Sequence, residues 1–264
     1  LRDRGVQFVG PDAGELACGW EGEGRMSEPS AIVATARLLL GTRTLAGEIV
    51  LVTAGGTRER VDAVRYLGNR SSGKMGFAVA EEAARRGADV VLVAAPTSLE
   101  TPPGVRRIDV RSALEMRDAV FAELTRATIV VKAAAVADFR PARSTDRKIK
   151  KEDLGAEEGL TLELVRNPDI LAEICAEKGE RTVVGFAAES HDVIEAARRK
   201  LARKGCDLIV ANDITRETSG FDAGDNTVVF VWPGGEIEEL PPLPKLDVAG
   251  QLFDRVEKLR GGAG

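Results

Sequence analysis

Glu48-Ile-Val-Leu-Val-Thr-Ala-Gly-Gly-Thr57 is the stretch whose reading decides the fold. An unbroken apolar run closed by a glycine pair reads as a strand buried on both faces, because a half-exposed strand would alternate apolar with polar residues. The same grammar repeats outward. Gly73 to Arg86 has helical periodicity and stops at Gly87. Asp89 to Ala94 and Val105 to Val110 read as the next two strands. Ser112 caps a helix to about Arg126, and Thr128 to Ala135 is a fourth strand. Thr182 to Ala187 is a fifth, His191 to Lys204 a helix, and Asp207 to Ala211 a sixth. Strands and helices alternating at this spacing predict right-handed βαβ units around a parallel sheet. Thr227 to Trp232 and Glu236 to Leu240, joined by Pro233-Gly234-Gly235, read as a hairpin, followed by a last helix over Val248 to Arg260. The expected class is α/β: a Rossmann-like doubly wound, mainly parallel sheet with a C-terminal hairpin excursion. Ligands in such sheets sit at the carboxyl ends of the strands. That rule selects Ala54–Thr57, Ala133–Asp138, Phe186–Glu189 and Asn212–Asp213.

Composition narrows the chemistry. The 264 residues carry a net charge of −5, with no basic stripe of the kind a nucleic-acid surface needs. No apolar run approaches the roughly 20 residues of a membrane span. One histidine, His191, and three cysteines, Cys18, Cys175 and Cys206, without CxxC spacing, argue against a zinc site or a disulfide framework. The cysteine usage fits a reducing cytoplasm. Any metal is expected to be magnesium shared between carboxylates and phosphate oxygens. His191 is expected to be exposed at a helix start, and Cys175 and Cys206 to be small core residues. The chain starts at Leu1, its earliest methionine is Met26, and six glycines punctuate residues 5–24. The expectation is a chain that starts inside a larger reading frame. Ser27 or Ser30 is expected to cap a short helix to about Leu40, with Gly41 to Gly47 as a linker.

Four motifs carry candidate chemistry. Gly68-Asn-Arg-Ser-Ser-Gly-Lys74 matches the first seven positions of a phosphate-binding P-loop, but Met75 replaces the Ser/Thr and no strand directly precedes it. A P-loop NTPase is therefore not the reading, although Gly and Ser opening a helix can still hold an anion on free N–H groups. Lys148-Ile-Lys-Lys151 lies in a long excursion after the fourth strand, either as a solvated face or as a lid carrying phosphate-binding lysines. Asn167-Pro168-Asp169 reads as a helix start with Asn167 as cap. Lys200 and Lys204, four apart, project from one helix face, where a shared anion would relieve their repulsion.

Together these strings resemble phosphopantothenoylcysteine synthetase, the ligase half of a bifunctional coenzyme A biosynthesis flavoprotein. The matching strings are Thr53-Ala-Gly-Gly-Thr-Arg-Glu59, Arg65-Tyr-Leu-Gly-Asn-Arg-Ser-Ser-Gly-Lys-Met-Gly76, Ala133-Ala-Ala-Val-Ala-Asp138, Lys148-Ile-Lys-Lys151, Arg166-Asn-Pro-Asp-Ile170, Val184-Gly-Phe-Ala-Ala-Glu189 and Ala211-Asn-Asp213. The head, Ala17-Cys-Gly19 with Gly22-Glu-Gly-Arg-Met26, looks like the substrate-clamp loop of the decarboxylase half. Trp20 stands where that family usually has an acidic residue. The resemblance implies residues 1–46 as the remnant of a flavodoxin-like decarboxylase domain plus linker, and 47–264 as the ligase domain. It implies a CTP-dependent ligation of 4'-phosphopantothenate with L-cysteine through an acyl-cytidylate. Lys132, Ala133, Ala134, Asp138, Lys148, Asn167, Pro168, Asp169, Ile170, Phe186, Lys200 and Lys204 would contact CTP, with the Asn167 segment and Phe186 framing the base. Asn69, Arg65 and Ala135 would meet the acyl substrate, with Asn69, Arg65 and Lys148 as catalytic candidates. Asp138 would share magnesium with the CTP phosphates. Cys18 would be the proton donor of the truncated half, whose FMN site is missing, so no decarboxylase activity is expected of this chain. A homodimer is implied, and the excursion after Asn212 is a place for subunit contact. Two alternatives stand beside this reading. A Rossmann oxidoreductase needs GxGxxG after the first strand and an acidic end to the second, and Ala54-Gly-Gly-Thr-Arg-Glu59 and Ala94-Ala-Pro96 supply neither. A non-catalytic nucleotide-binding or oligomerisation module would bind CTP without releasing pyrophosphate.

Overall fold

A computed structural model describes residues 1–15, 19–153, 159–189, 191–213 and 225–261. Its main sheet has eight strands: β1 (Ile49–Ala54), β2 (Asp89–Ala94), β3 (Val105–Asp109), β4 (Ile129–Lys132), β5 (Thr182–Glu189), β6 (Leu208–Asp213), β7 (Val228–Val231) and β8 (Ile237–Glu239). Their spatial order is β8-β7-β6-β5-β4-β1-β2-β3. The six strands from β6 across to β3 are parallel, whereas β7 and β8 join antiparallel as the expected hairpin. Chain order runs outward from β1 to β3 on one side and from β4 to β6 on the other. The connections therefore diverge between β1 and β4, the switch point at which doubly wound sheets open a crevice.

Among the described residues the α-helices are α1 (Pro29–Leu39), α2 (Lys74–Arg85), α3 (Ala113–Leu124), α4 (Ile170–Ala176), α5 (Val193–Lys204) and α6 (Lys245–Gly261). The first lies against α2, and the others cover the sheet. Successive strand residues point to opposite faces, so each strand feeds two cores. On one face Val50, Val52, Leu92 and Phe230 meet Phe77 and Ala83 of α2 and Leu252 and Phe253 of α6. On the other, Leu51, Val93, Val130 and Ile209 meet Met116 of α3, Ile174 of α4 and Leu201 of α5. Gly76 lets α2 lie against β1. A Cβ there would stand 2.5 Å from the Ala54 Cβ and 3.0 Å from the Thr53 carbonyl oxygen.

Local corrections follow from where backbone donors find partners. Ser112 caps α3 as expected, its hydroxyl accepting from the Glu115 N–H at 3.2 Å. Neither Ser27 nor Ser30 caps α1. Glu28 holds that position without a side-chain bond, and Pro29 opens the helix. Asn167 does not cap α4 either. Asp169 does, accepting from the Ala172 N–H at 3.1 Å. Residues 41–47 are more than a linker, because Leu45 is buried and its N–H donates to the Arg86 carbonyl at 2.9 Å. Cys206 is buried and Cys175 half-buried against the same core. Cys18 lies outside the described residues.

The last helix is tied down by one buried guanidinium. Arg86, 9% exposed, donates to Glu82 at 2.7 Å, Asp254 at 2.7 Å, Glu257 at 2.8 Å and the Gly250 carbonyl at 2.9 Å. These carboxylates hold it protonated well above the ordinary arginine range against the cost of its burial. Glu82 is itself 1% exposed and would keep only Arg85, at 2.6 Å, if Arg86 were lost. Removing one partner of a buried pair leaves an uncompensated charge, so Arg86→Ala should cost about 3–5 kcal/mol. Urea denaturation measures this, and an unchanged midpoint would refute it.

Candidate active site

A cleft of about 1040 Å³ opens over the carboxyl ends of β4, β5 and β6. Its walls include Asn69–Gly76, Lys132–Phe139, Arg166–Leu171, Phe186–Ala188, Lys200, Lys204, Asn212, Asn226 and Lys245. Three of the four segments expected from the strand ends line it. The fourth, Ala54–Thr57, does not, because its backbone is zipped to β4's extension. The Thr57 N–H donates to the Ala135 carbonyl at 3.2 Å, and the Ala135 N–H to the Gly55 carbonyl at 2.8 Å. The string Asn69–Gly76 stands in front of it instead. Gly73 takes a left-handed φ of 79° as the residue preceding α2, which turns the helix N-terminus toward the cleft.

Three lysines converge on this cleft. Lys132 ends β4 and donates to the Ala134 carbonyl at 2.9 Å. Lys200 and Lys204 reach in together from α5, one helical turn apart, as their spacing predicts. Lys200 donates to the Phe186 carbonyl at 2.7 Å, and Lys204 pairs with Asp169. Desolvation, together with the charges of Lys200 and Lys204, pushes Lys132 down to about 7, against a smaller pull from Asp138. Burial also lowers Lys204. Gathered like charges of this kind are an electrostatic demand for a polyanion.

The remaining expected residues divide into two groups. Ala133, Ala134, Ala135, Asp138, Asn167, Pro168, Ile170 and Phe186 all line the cleft with the lysines. Asn69 joins them, its amide donating to the Val136 carbonyl at 3.2 Å. Arg65 and Lys148 do not. Arg65 is turned to Asp62, at 2.7 Å, and to the Ile149 carbonyl, at 3.1 Å. Asp62 also accepts the Ile149 N–H, at 3.2 Å, which pins the base of the Lys148–Lys151 excursion away from the cleft wall. Backbone N–H groups from Val64, Arg65 and Ile149, with the Arg65 charge, hold the Asp62 carboxyl below its usual range despite desolvation that acts the other way. Lys148 is exposed.

Sequence reasoning missed a further buried cation in the cleft wall. Lys245, 9% exposed, opens α6, donates to the Asn226 amide oxygen at 3.0 Å and lines the same cleft. Its neighbours Pro242-Leu-Pro244 read only as a loop before a helix, so no spacing signal marks it. Among the described residues no three His, Cys, Asp or Glu side chains gather to hold a metal. Asp138, exposed in the cleft, fits magnesium only in partnership with phosphate oxygens, which is the usual mode for this ion.

Residues 45–259 match the C-terminal domain of the DNA/pantothenate metabolism flavoproteins. The chain belongs to that family. It is similar to the coenzyme A biosynthesis bifunctional protein CoaBC of Vibrio vulnificus, 45% identical over 262 residues, covering 99% of this chain and 65% of the relative. The CoaBC of Escherichia coli K12 is 47% identical over 255 residues, covering 96% and 62%. The chain thus spans rather less than two thirds of the curated relatives it matches. A crystal structure of the C-terminal domain of CoaBC superposes with a TM-score of 0.71 at 38% identity, covering 84% of this chain and all of that one. In this CoaBC-like chain no described helix is long and apolar enough to cross a membrane.

The depressed lysine makes a testable signature. Above about pH 7 Lys132 is largely neutral in the empty cleft, and a bound triphosphate would raise its pKa. Binding of a triphosphate such as inorganic tripolyphosphate at about pH 8 should therefore take up protons, and its affinity should fall as pH rises beyond 7. Calorimetry in buffers of differing ionisation enthalpy reads the uptake, and Lys132→Met should abolish it. Equal uptake in wild type and variant would refute this.

Proposed function

We propose that this chain ligates 4'-phosphopantothenate with L-cysteine in a CTP-dependent reaction through an acyl-cytidylate, giving 4'-phosphopantothenoylcysteine. The supporting observation is the convergence of Lys132, Lys200 and Lys204 with Asp138 and the Asn69 amide in one cleft, in a chain of this family. The substrate carboxylate oxygen attacks the α-phosphorus of CTP. An acyl–O–P bond forms, the α–β phosphoanhydride breaks, and pyrophosphate carries away the electron pair. The cysteine amine then attacks the acyl carbon, forms the amide, loses its proton and expels CMP. Both steps build negative charge on phosphate oxygens, so the demand is for positioned cations more than for a histidine base. His191 is exposed and is not among the residues lining the cleft. Lysines meet a triphosphate as point charges. Magnesium would enter with the nucleotide and be held by Asp138, supplying charge neutralisation on the phosphates. Asn69, at the mouth of α2, is placed to hold the acyl-phosphate through its amide.

Residues 1–46 are read as the tail of a decarboxylase half, and FMN is assigned to that half, not to this cleft. The dimer face is placed on two joined ribbons, Arg58–Arg60 with Tyr66–Gly68 and Phe139–Pro141 with Leu164–Arg166. They expose Val64, Tyr66, Phe139 and Leu164, each 45–60% accessible, an apolar set that a second copy would cover. Part of the excursion after Asn212, the other candidate for subunit contact, lies outside the described residues. Sedimentation should show a dimer in wild type and monomer in a Tyr66→Glu/Phe139→Glu variant, and a dimer unaffected by both changes would remove this face.

The reaction is tested by pyrophosphate release from CTP or ATP with phosphopantothenate, with and without cysteine. Release should exceed background with CTP and fall sharply with ATP. Release with neither nucleotide would sink the ligase reading. In the same assay Asn69→Ala should keep the first half-reaction while slowing amide formation by about 100-fold. Unchanged ligation would remove Asn69 from its role.

A further inference from the structure

The segment expected to frame the nucleotide base is held by a residue that no motif marks. Phe139–Pro141 and Leu164–Arg166 form an antiparallel ribbon with Arg140 opposite Val165. Beyond its end the Asn167 N–H donates to the Asp138 carbonyl at 2.8 Å. The Arg140 guanidinium reaches along the ribbon and donates to the Arg166 carbonyl at 2.6 Å and to the Asn167 side-chain oxygen at 3.1 Å. The other end of the same amide donates to the Ala137 carbonyl at 2.8 Å. Ala137 is in turn anchored, its N–H donating to the Thr57 hydroxyl at 3.0 Å.

Each end of the Asn167 amide therefore already has one partner inside the protein, leaving one N–H and one lone pair. Its side chain acts as a brace between Ala137 and Arg140, and it fixes the backbone of residues 166–170 beside it in the cleft wall. A backbone that reads a base does so only when its donors and acceptors are fixed, since a displacement of about 1 Å can cost about 100-fold. On the strand side the fixing is done by Thr57 and Ala137. On the segment side it is done by Arg140, a charged donor, which makes the stronger kind of hydrogen bond.

We propose that Arg140 is a positioning residue that sets the geometry of residues 166–170 and, through it, the preference for a pyrimidine over a purine triphosphate. The inference rests on the nucleotide reading given above. Cytosine presents one amino donor beside two acceptors on a single small ring. A segment held at one spacing would match that edge and would discriminate against the different edge and second ring of adenine. Without Arg140 the Arg166 carbonyl and the Asn167 oxygen lose their charged donor. The amide can then rotate, and the segment tolerates either base.

The test compares wild type, Arg140→Met and Arg140→Lys in steady-state pyrophosphate release, varying CTP, ATP and phosphopantothenate in turn, alongside thermal unfolding. Arg140→Met should raise the KM for CTP by about 10-fold or more and shrink the CTP-to-ATP ratio of kcat/KM by a similar factor, as expected for a lost charged hydrogen bond. The KM for phosphopantothenate and the melting temperature should stay at wild-type values. Arg140→Lys, which keeps a cation able to reach one carbonyl, should recover part of the CTP preference. An unchanged KM and ratio in Arg140→Met overturns the proposal. So does a parallel fall of every kinetic constant with the melting temperature, which would mark a structural role. Should Arg140→Met fail to fold, Arg140→Gln carries the same comparison. If wild type itself releases no pyrophosphate, the ligase reading has failed. Calorimetric affinities of the same variants for CTP and ATP then decide this inference, and affinities unaltered by the substitution, or no binding at all, overturn it.

Discussion

Everything in this molecule hangs on the backbone pairing of β1 with β4. Val50 to Thr53 lie in register beside Ile129 to Lys132, and the pairing continues past the strand ends through Gly55 and Ala135. Because the chain leaves these two neighbours in opposite directions, no connection can cover the space above them. The crevice is a consequence of topology before any side chain is chosen. The register also fixes Lys132 as the residue with which β4 leaves the sheet, beside Thr53. A slip of one residue would send that amine to the opposite face.

The lysine cluster shows how the fold turns a local choice into an electrostatic one. Lys132 comes from a strand end, and Lys200 and Lys204 from a helix on one face of the sheet. They meet because β4 and β5 are adjacent and α5 packs over β5 and β6. Asp169 pairs with Lys204 while also capping α4, so one carboxylate organises both the helix start and the cation beside it. Among the described residues Lys132 has no ion pair, and it donates to the Ala134 carbonyl. Its burial among like charges is unfavourable, a cost that a polyanion in the cleft would relieve.

Much of this was legible in the sequence. The continuous apolar strands and their helix spacing specify the doubly wound sheet, since only strands buried on both faces carry runs such as Asp89 to Ala94. Lys200 and Lys204 could be paired from their spacing alone. What stayed hidden is what depends on non-local partners. Asn167 and Asp169 are equally good helix caps by composition, and the choice between them was made by the Ala137 carbonyl and Arg140, residues from a different ribbon. Arg65 belongs to a specific motif, yet its direction is set by Asp62 and the Ile149 carbonyl. Lys245 opens a helix like many lysines, and its place in the cleft wall follows only from α6 returning to the same face as α2.

That return has a consequence for what the sheet's surface depends on. The bond between Arg86 and Glu257 joins residues 171 apart in the chain. Every strand of the main sheet precedes α6 in the chain, so part of the hydrophobic face that α2 shares with α6 is completed by a segment distant in sequence. Val50, Val52 and Leu92 meet Leu252 and Phe253 on that face. Without α6 that apolar sheet surface would be uncovered, so the solubility of the folded domain depends on a helix far from it in sequence.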